Sequence, residues 1–149
     1  MDTIHHLSEI GAPADRVDEA LNTERGLSGW WTTVVSYPAP GVGSAIAFTF
    51  EDPFHPEMEV TALEPGSLVA WRGANQPWLD AEIRFELTPS ERKPGGTTLR
   101  FWQRYAGDLD DDSFGIFNYN WAYYLESLRL LLEDGEGKPF VVPQSRRRA

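Results

Sequence analysis

The segment Ser113–Asp134, SFGIFNYNWAYYLESLRLLLED, decides how this chain folds. Phe114, Phe117, Trp121, Tyr124, Leu128 and Leu131 recur every three or four residues, and Leu125 and Leu132 widen the same stripe. That is the period of an α-helix with one buried face. Asp110, Asp111, Asp112 and Ser113 offer capping oxygens and negative charge beside the positive end of the helix dipole. Three consecutive aspartates lack the alternating ligands and glycine turn of a calcium loop, so they read as a cap and no metal is expected. Gly135 suits a left-handed C-cap, and Gly137 and Pro139 prevent continuation.

Strand-like text precedes this helix. Thr3–Ile10 reads as a first strand, ended by Gly11. Pro13 then stands at a first helical position, with Val17, Ala20 and Leu21 as the apolar edge of a short helix, and a second short helix covers Glu24–Trp31. Strands are predicted near Thr32–Tyr37, Ser44–Glu51, Glu57–Leu63, Leu68–Gly73, Ala81–Thr88 and Thr97–Tyr105, punctuated by prolines and glycines. In the fifth of these, Ala81, Ile83, Phe85 and Leu87 alternate with polar residues, the pattern of a half-buried antiparallel strand. In the last, Leu99, Phe101, Gln103 and Tyr105 share the inward face while Arg100, Trp102 and Arg104 share the outward one. Ile46, Phe48 and Phe50 form another inward row, joined by Val69 and Trp71. The fold class is α+β: a curved antiparallel sheet with an aromatic concave side, wrapped around the long C-terminal helix, with two short helices after the first strand.

Composition narrows the function. A chain of 149 residues with 41% hydrophobic content fits one domain, 1–149, with residues 138–149 as a C-terminal tail. A net charge of −10 disfavours nucleic acid and anionic membrane as partners. The run Arg146-Arg147-Arg148 reads as a solvated terminus. With no cysteine there is no disulfide, thiolate metal site or cysteine nucleophile. The opening residues lack a basic start followed by an apolar stretch and no segment approaches a membrane span, so a cytoplasmic location is expected.

One amphipathic helix against a sheet encloses a volume, and six tryptophans are more than a core this size needs. Trp31, Trp71, Trp78 and Trp121 therefore read as core rings that also line a pocket, together with Phe48, Phe50, Phe85, Phe101 and Phe117. Gln103, Tyr105, Asn118 and Tyr124 are the inward polar groups that would orient a ligand, or else satisfy buried backbone groups. His5 and His6, adjacent on a strand, face opposite ways and cannot share a metal; both read as exposed strand histidines. His55, between Pro53 and Pro56, has no visible acid partner. With Glu59 and Tyr105 it makes a weak catalytic set.

The order of elements resembles the helix-grip fold of the START-like (SRPBCC) superfamily, which includes the birch-pollen allergens. Within it the chain is similar to bacterial proteins related to the C-terminal domain of the activator of the heat-shock chaperone ATPase. The matching words are Ala12-Pro13 with Val17, Trp30-Trp31 after Leu27, Pro65-Gly66 before Leu68-Val69-Ala70-Trp71, Thr97–Phe101, and Asn120-Trp121 through Leu125, Leu128 and Leu132 to Gly135. The resemblance implies a cavity between sheet and long helix that accepts an apolar small molecule, and no single reaction. The expected activity is binding of an apolar or aromatic molecule without a cofactor. Two alternatives stand beside it: a polyketide cyclase or dehydratase using the same cavity, and a chaperone-regulating module. Trp102, outward beside Arg100 and Arg104, either packs on its neighbours or marks a homodimer face.

Overall fold

Seven strands form one antiparallel sheet in the order β1-β7-β6-β5-β4-β3-β2. The computed structural model describes residues 2–144. In chain order the elements are β1 Thr3–Ile10, α1 Ala14–Asn22, α2 Glu24–Trp30, β2 Val34–Ser36, β3 Ala45–Thr49, β4 Glu57–Glu64, β5 Leu68–Gly73, β6 Glu82–Pro89, β7 Thr97–Arg104 and α3 Asp111–Asp134. This is the helix-grip arrangement expected from the sequence. The two short helices come straight after the first strand, and α3 packs against β1, α1 and α2. Among the described residues no helix is long and apolar enough to cross a membrane. Arg146, Arg147 and Arg148 lie outside the described residues.

The alternation of β6 and β7 sets their faces. Phe85 pairs with Phe101 and Ile83 with Gln103 across the two strands, and all four are buried. A register shift between Val60 and Ala62 breaks the ladder of β4 with β5, and such an irregularity bends a strand locally. Pro13 is the N-cap of α1 and stands just outside the first helical position, where its fixed φ and missing N–H are equally harmless.

The ends of α3 behave as their residues dictate. Asp110 is the N-cap and accepts from Ser113 N at 3.0 Å and from Ser113 Oγ at 2.7 Å. These bonds to the charged carboxylate hold the Asp110 carboxyl below its ordinary range. Gly135 closes the helix at φ 85°, with its N–H donating to Leu131 O at 3.0 Å. The chain then continues as a docked segment through the first described residues of the C-terminal tail. Lys138 N donates to Ser127 Oγ at 2.6 Å, and Phe140 exchanges backbone bonds of 2.9 Å with Trp31 and Thr33. Val142 is buried behind it.

Glu133 clamps the last turn of α3 to the sheet. Its carboxylate accepts from Lys93 Nζ, from Gly11 N and from Arg129 Nη1, each at 2.7 Å. The Lys93 bond first, then the Gly11 amide, holds the carboxyl below its ordinary value of 4.5. A carboxyl depressed in the folded state contributes stability that is complete above its unfolded pKa and is lost as pH falls through the folded one. Glu133→Gln is therefore expected to cost about 1–2 kcal/mol at pH 7. Denaturant unfolding should show that difference shrinking as the pH is taken down towards about 3. An undiminished difference there would contradict an ionic origin.

Candidate functional site

Indole rings from four different elements and loops pile up inside the molecule. Trp31, directly after α2, lies 5.0 Å from Trp121 of α3 and 6.2 Å from both Trp71 of β5 and Trp78 of the β5–β6 loop, with interplanar angles of 8° to 26°. Trp78 in turn stacks on Trp121 at 5.7 Å and 19°. At the exposed end of this pile opens a cavity of ≈ 370 Å³. Trp31, Trp78 and Trp121 form its floor, and Phe50, Glu51 and Phe54 come from the loop after β3. Ile116, Phe117, Asn120 and Tyr124 come from the N-terminal and middle turns of α3, and Phe140 from the docked segment.

Of the side chains expected to line a pocket, Trp31, Phe50, Trp78, Phe117, Trp121 and Tyr124 reach the cavity wall. Phe48, Trp71, Phe85 and Phe101 do not; they are at most 1% exposed and fill the space behind it. Phe101 lies 4.3 Å from Trp121 and Phe85 5.0 Å from Trp71. A cavity extending between sheet and helix is thus corrected to a cleft at one end. Close-packed rings occupy the interior volume, as they do in ordinary protein cores.

The expected polar groups divide in the same way. Gln103 is fully buried, and its Oε1 accepts from the Tyr105 hydroxyl at 2.7 Å and from Trp121 Nε1 at 2.5 Å. Both residues stand one layer behind the cleft. Asn118 corrects the expectation of an inward side chain: it is exposed, at the edge of the buried helix stripe on the side that meets His6 of β1. His6 corrects another, being half-buried against Phe101 and Asn118, and burial lowers its pKa. His5 is exposed as expected and lies 3.7 Å from the Trp102 ring in a stacked pair. Trp102 is half-buried, with its Nε1 donating to Glu86 at 3.1 Å.

The catalytic candidates are not brought together. The Phe50 amide donates to His55 Nδ1 at 3.2 Å, which leaves the ring proton on Nε2, against Asp52 Oδ1 at 2.5 Å. Both ring nitrogens are therefore engaged within the loop. Glu59 points to the outer face of the sheet and pairs with Arg72 at 2.6 Å. Burial pushes the Tyr105 phenol far above its ordinary value, so it stays protonated. Among the described residues no cluster of three His, Asp or Glu side chains is placed to hold a metal ion.

Sequence reasoning missed Glu51, Phe54, Ile116, Asn120 and Phe140 as lining residues. Ile116 and Asn120 flank the apolar stripe with Phe117 and Tyr124, a signal available from helical spacing. Phe140 carried a weaker one, the apolar run Phe140-Val141-Val142 after Pro139. The loops around the mouth are tied to each other, since Asn75 Nδ2 donates to His55 O at 2.9 Å and Glu57 N donates to Asn75 Oδ1 at 2.9 Å.

Residues 11–133 match the family described as Activator of Hsp90 ATPase homolog 1-like protein. The solution structure of the Aha1 dimer from Colwellia psychrerythraea is similar at 35% identity and TM-score 0.81, covering 92% of this chain and 100% of that one. Protein MLL2253 from Mesorhizobium loti is similar at 25% identity and TM-score 0.76, covering 91% and 99%. CalU16 from Micromonospora echinospora shares the fold at 14% identity and TM-score 0.68, covering 89% and 77%. No curated protein matches the chain.

Proposed function

The chain belongs to the Activator of Hsp90 ATPase homolog 1-like family, and within it we propose that this protein binds a small apolar or aromatic molecule in the cleft at the N-terminal half of α3. The observation that carries this reading is the ≈ 370 Å³ cavity walled by six aromatic side chains from the expected set and by Phe54 and Phe140 besides. Apolar surface entering it gains about 25 cal/mol per Å² removed from water. The stacked indoles behind the wall hold it in shape, so little ordering is left for the binding step. A cyclase or dehydratase role has less support, because His55, Glu59 and Tyr105 aim no available base into the cleft. A chaperone-regulating role draws on the family description alone.

Titration with naphthalene, followed by tryptophan emission and by native mass spectrometry, tests the reading. Saturable one-to-one binding that perturbs the emission is expected, because three of the six tryptophans line the cleft. Absence of binding across a chemically diverse apolar library would overturn it.

We infer homodimerisation as well, since the Colwellia psychrerythraea relative is a dimer. The outer face of α3 suits it better than the Trp102 face. Tyr119 and Tyr123 recur there at four-residue spacing and are 69% and 47% exposed, with Ile116 beside them at the cleft rim, whereas Trp102 is covered by His5 and bonded to Glu86. Sedimentation velocity should find a wild-type dimer that Tyr119→Glu with Tyr123→Glu converts to monomer, while Trp102→Glu remains dimeric. A concentration-independent wild-type monomer would refute the inference.

A further inference from the structure

The wall of the cleft carries charge of one sign only. Eight of its eleven lining residues are aromatic; the other three are Glu51, Ile116 and Asn120, and none is a lysine, arginine or histidine. Glu51 is exposed, and among the described residues its carboxylate has no hydrogen bond or ion pair; only its backbone oxygen accepts, from Phe54 N at 2.9 Å. His55 of the same loop is already held by Asp52 and the Phe50 amide. The Asn120 amide and the Tyr124 hydroxyl, one helical turn apart on α3, likewise have no hydrogen-bond partner among the described residues. Carboxylate, amide and hydroxyl all offer acceptor oxygens to a molecule that brings N–H donors. The rings act in the same sense. Phe54 and Phe117 cross the plane of Trp78 at 77° and 75°, and Phe50 crosses those of Trp31 and Tyr124 at 68° and 70°. A wall of rings in crossed planes does not consist of ring edges alone, and an ammonium within about 6 Å of a ring face is attracted to it.

We propose that the cleft selects a positively charged aromatic amine, an ammonium group on a short aliphatic arm, whose ring lies among the aromatic side chains while the ammonium stays at the rim beside Glu51. This rests on the cavity reading above and narrows its ligand. At the rim the ammonium keeps part of its water, so the large cost of burying a charge is avoided. A carboxylate on the same ring would meet Glu51 with no cation on the wall to offset it. The net charge of −10 works in the same direction, drawing cations towards the molecule and repelling anions.

Three probes on one ring isolate the charge: 2-naphthylmethylamine, protonated at pH 7, the neutral 2-naphthylmethanol and the anionic 2-naphthoate. Titrations followed by tryptophan emission and by calorimetry should find the amine held about fivefold more tightly than the alcohol by the wild type. The naphthoate should bind about tenfold or more weakly than the amine. Glu51→Gln removes the charge from an exposed side chain and should bring amine and alcohol within about twofold. Glu91→Gln removes the same charge from an exposed residue of the β6–β7 loop, away from the cleft, and should leave the fivefold gap in place. Equal affinities for amine and alcohol in the wild type would overturn the charge assignment and leave the cavity reading intact. So would a preference that survives Glu51→Gln, or one that Glu91→Gln erases equally, since the overall charge of the chain would then be its source. Failure of all three probes and of naphthalene to bind would overturn the cavity reading together with this one.

Discussion

Trp121→Ala is expected to lower the unfolding free energy by about 3–5 kcal/mol and to abolish binding in the cleft. The ring is buried and contacts Phe101 at 4.3 Å, Trp31 at 5.0 Å and Trp78 at 5.7 Å, so no neighbour can collapse into its place without breaking the indole pile. Its removal also takes one of the two donors from Gln103 Oε1. Trp121→Phe separates the two effects. It restores most of the apolar volume and lacks the N–H, so its cost should be about 1–2 kcal/mol. Denaturant unfolding of both variants, with naphthalene titration of each, checks the pair. A loss below about 1 kcal/mol for alanine would mean that the ring is loosely held and the cleft deeper than described.

Gly73→Ala is expected to cost about 3 kcal/mol although it adds a single methyl group. Gly73 ends β5, where the chain folds back through Trp78 to reach β6. Gly73 N donates to Ala81 O and Asp80 N donates to Gly73 O, both at 2.9 Å. A Cβ on Gly73 would stand 1.8 Å from Trp78 O, inside any real contact distance. The obstacle is backbone, so relief requires the β5–β6 loop to move and carry the Trp78 ring off the floor of the cleft. Binding should therefore fall along with stability. Gly115→Ala, in the first turns of α3 with nothing within 4 Å of its added Cβ, is the contrast. It should be neutral or stabilising by about 0.5–1 kcal/mol, through helix propensity. Thermal unfolding of both variants reads the difference directly, and equal shifts would remove the close approach at Gly73 as the cause.

These two positions mark the boundary of what the sequence discloses. Trp121 belongs to a stripe of period 3.6, so its burial follows from the order of residues alone. The close approach at Gly73 depends on how a loop returns, and a lone glycine at a strand end does not encode that.

By itself the sequence determined the seven strands, the three helices, the inward faces of β6 and β7, and both caps of α3. Each of these is a local property, expressed within a few residues as alternation, helical spacing or a capping side chain. The tertiary structure alone decided where the open space lies. Phe48, Trp71, Phe85 and Phe101 read as pocket residues on the same grounds as Trp31, Trp78 and Trp121, yet they became solid core. Asn118 and Asn120 sit two residues apart on α3, and only Asn120 lines the cleft, because the helix docks on β1 along one edge and leaves the other open. Phe140 completes the wall through backbone bonds to Trp31 and Thr33, a pairing between distant segments that no local pattern announces. A cavity is what remains after all side-chain volumes are packed. That remainder is a property of the whole assembly, set by how rings from separate elements meet, and no stretch of sequence carries it alone.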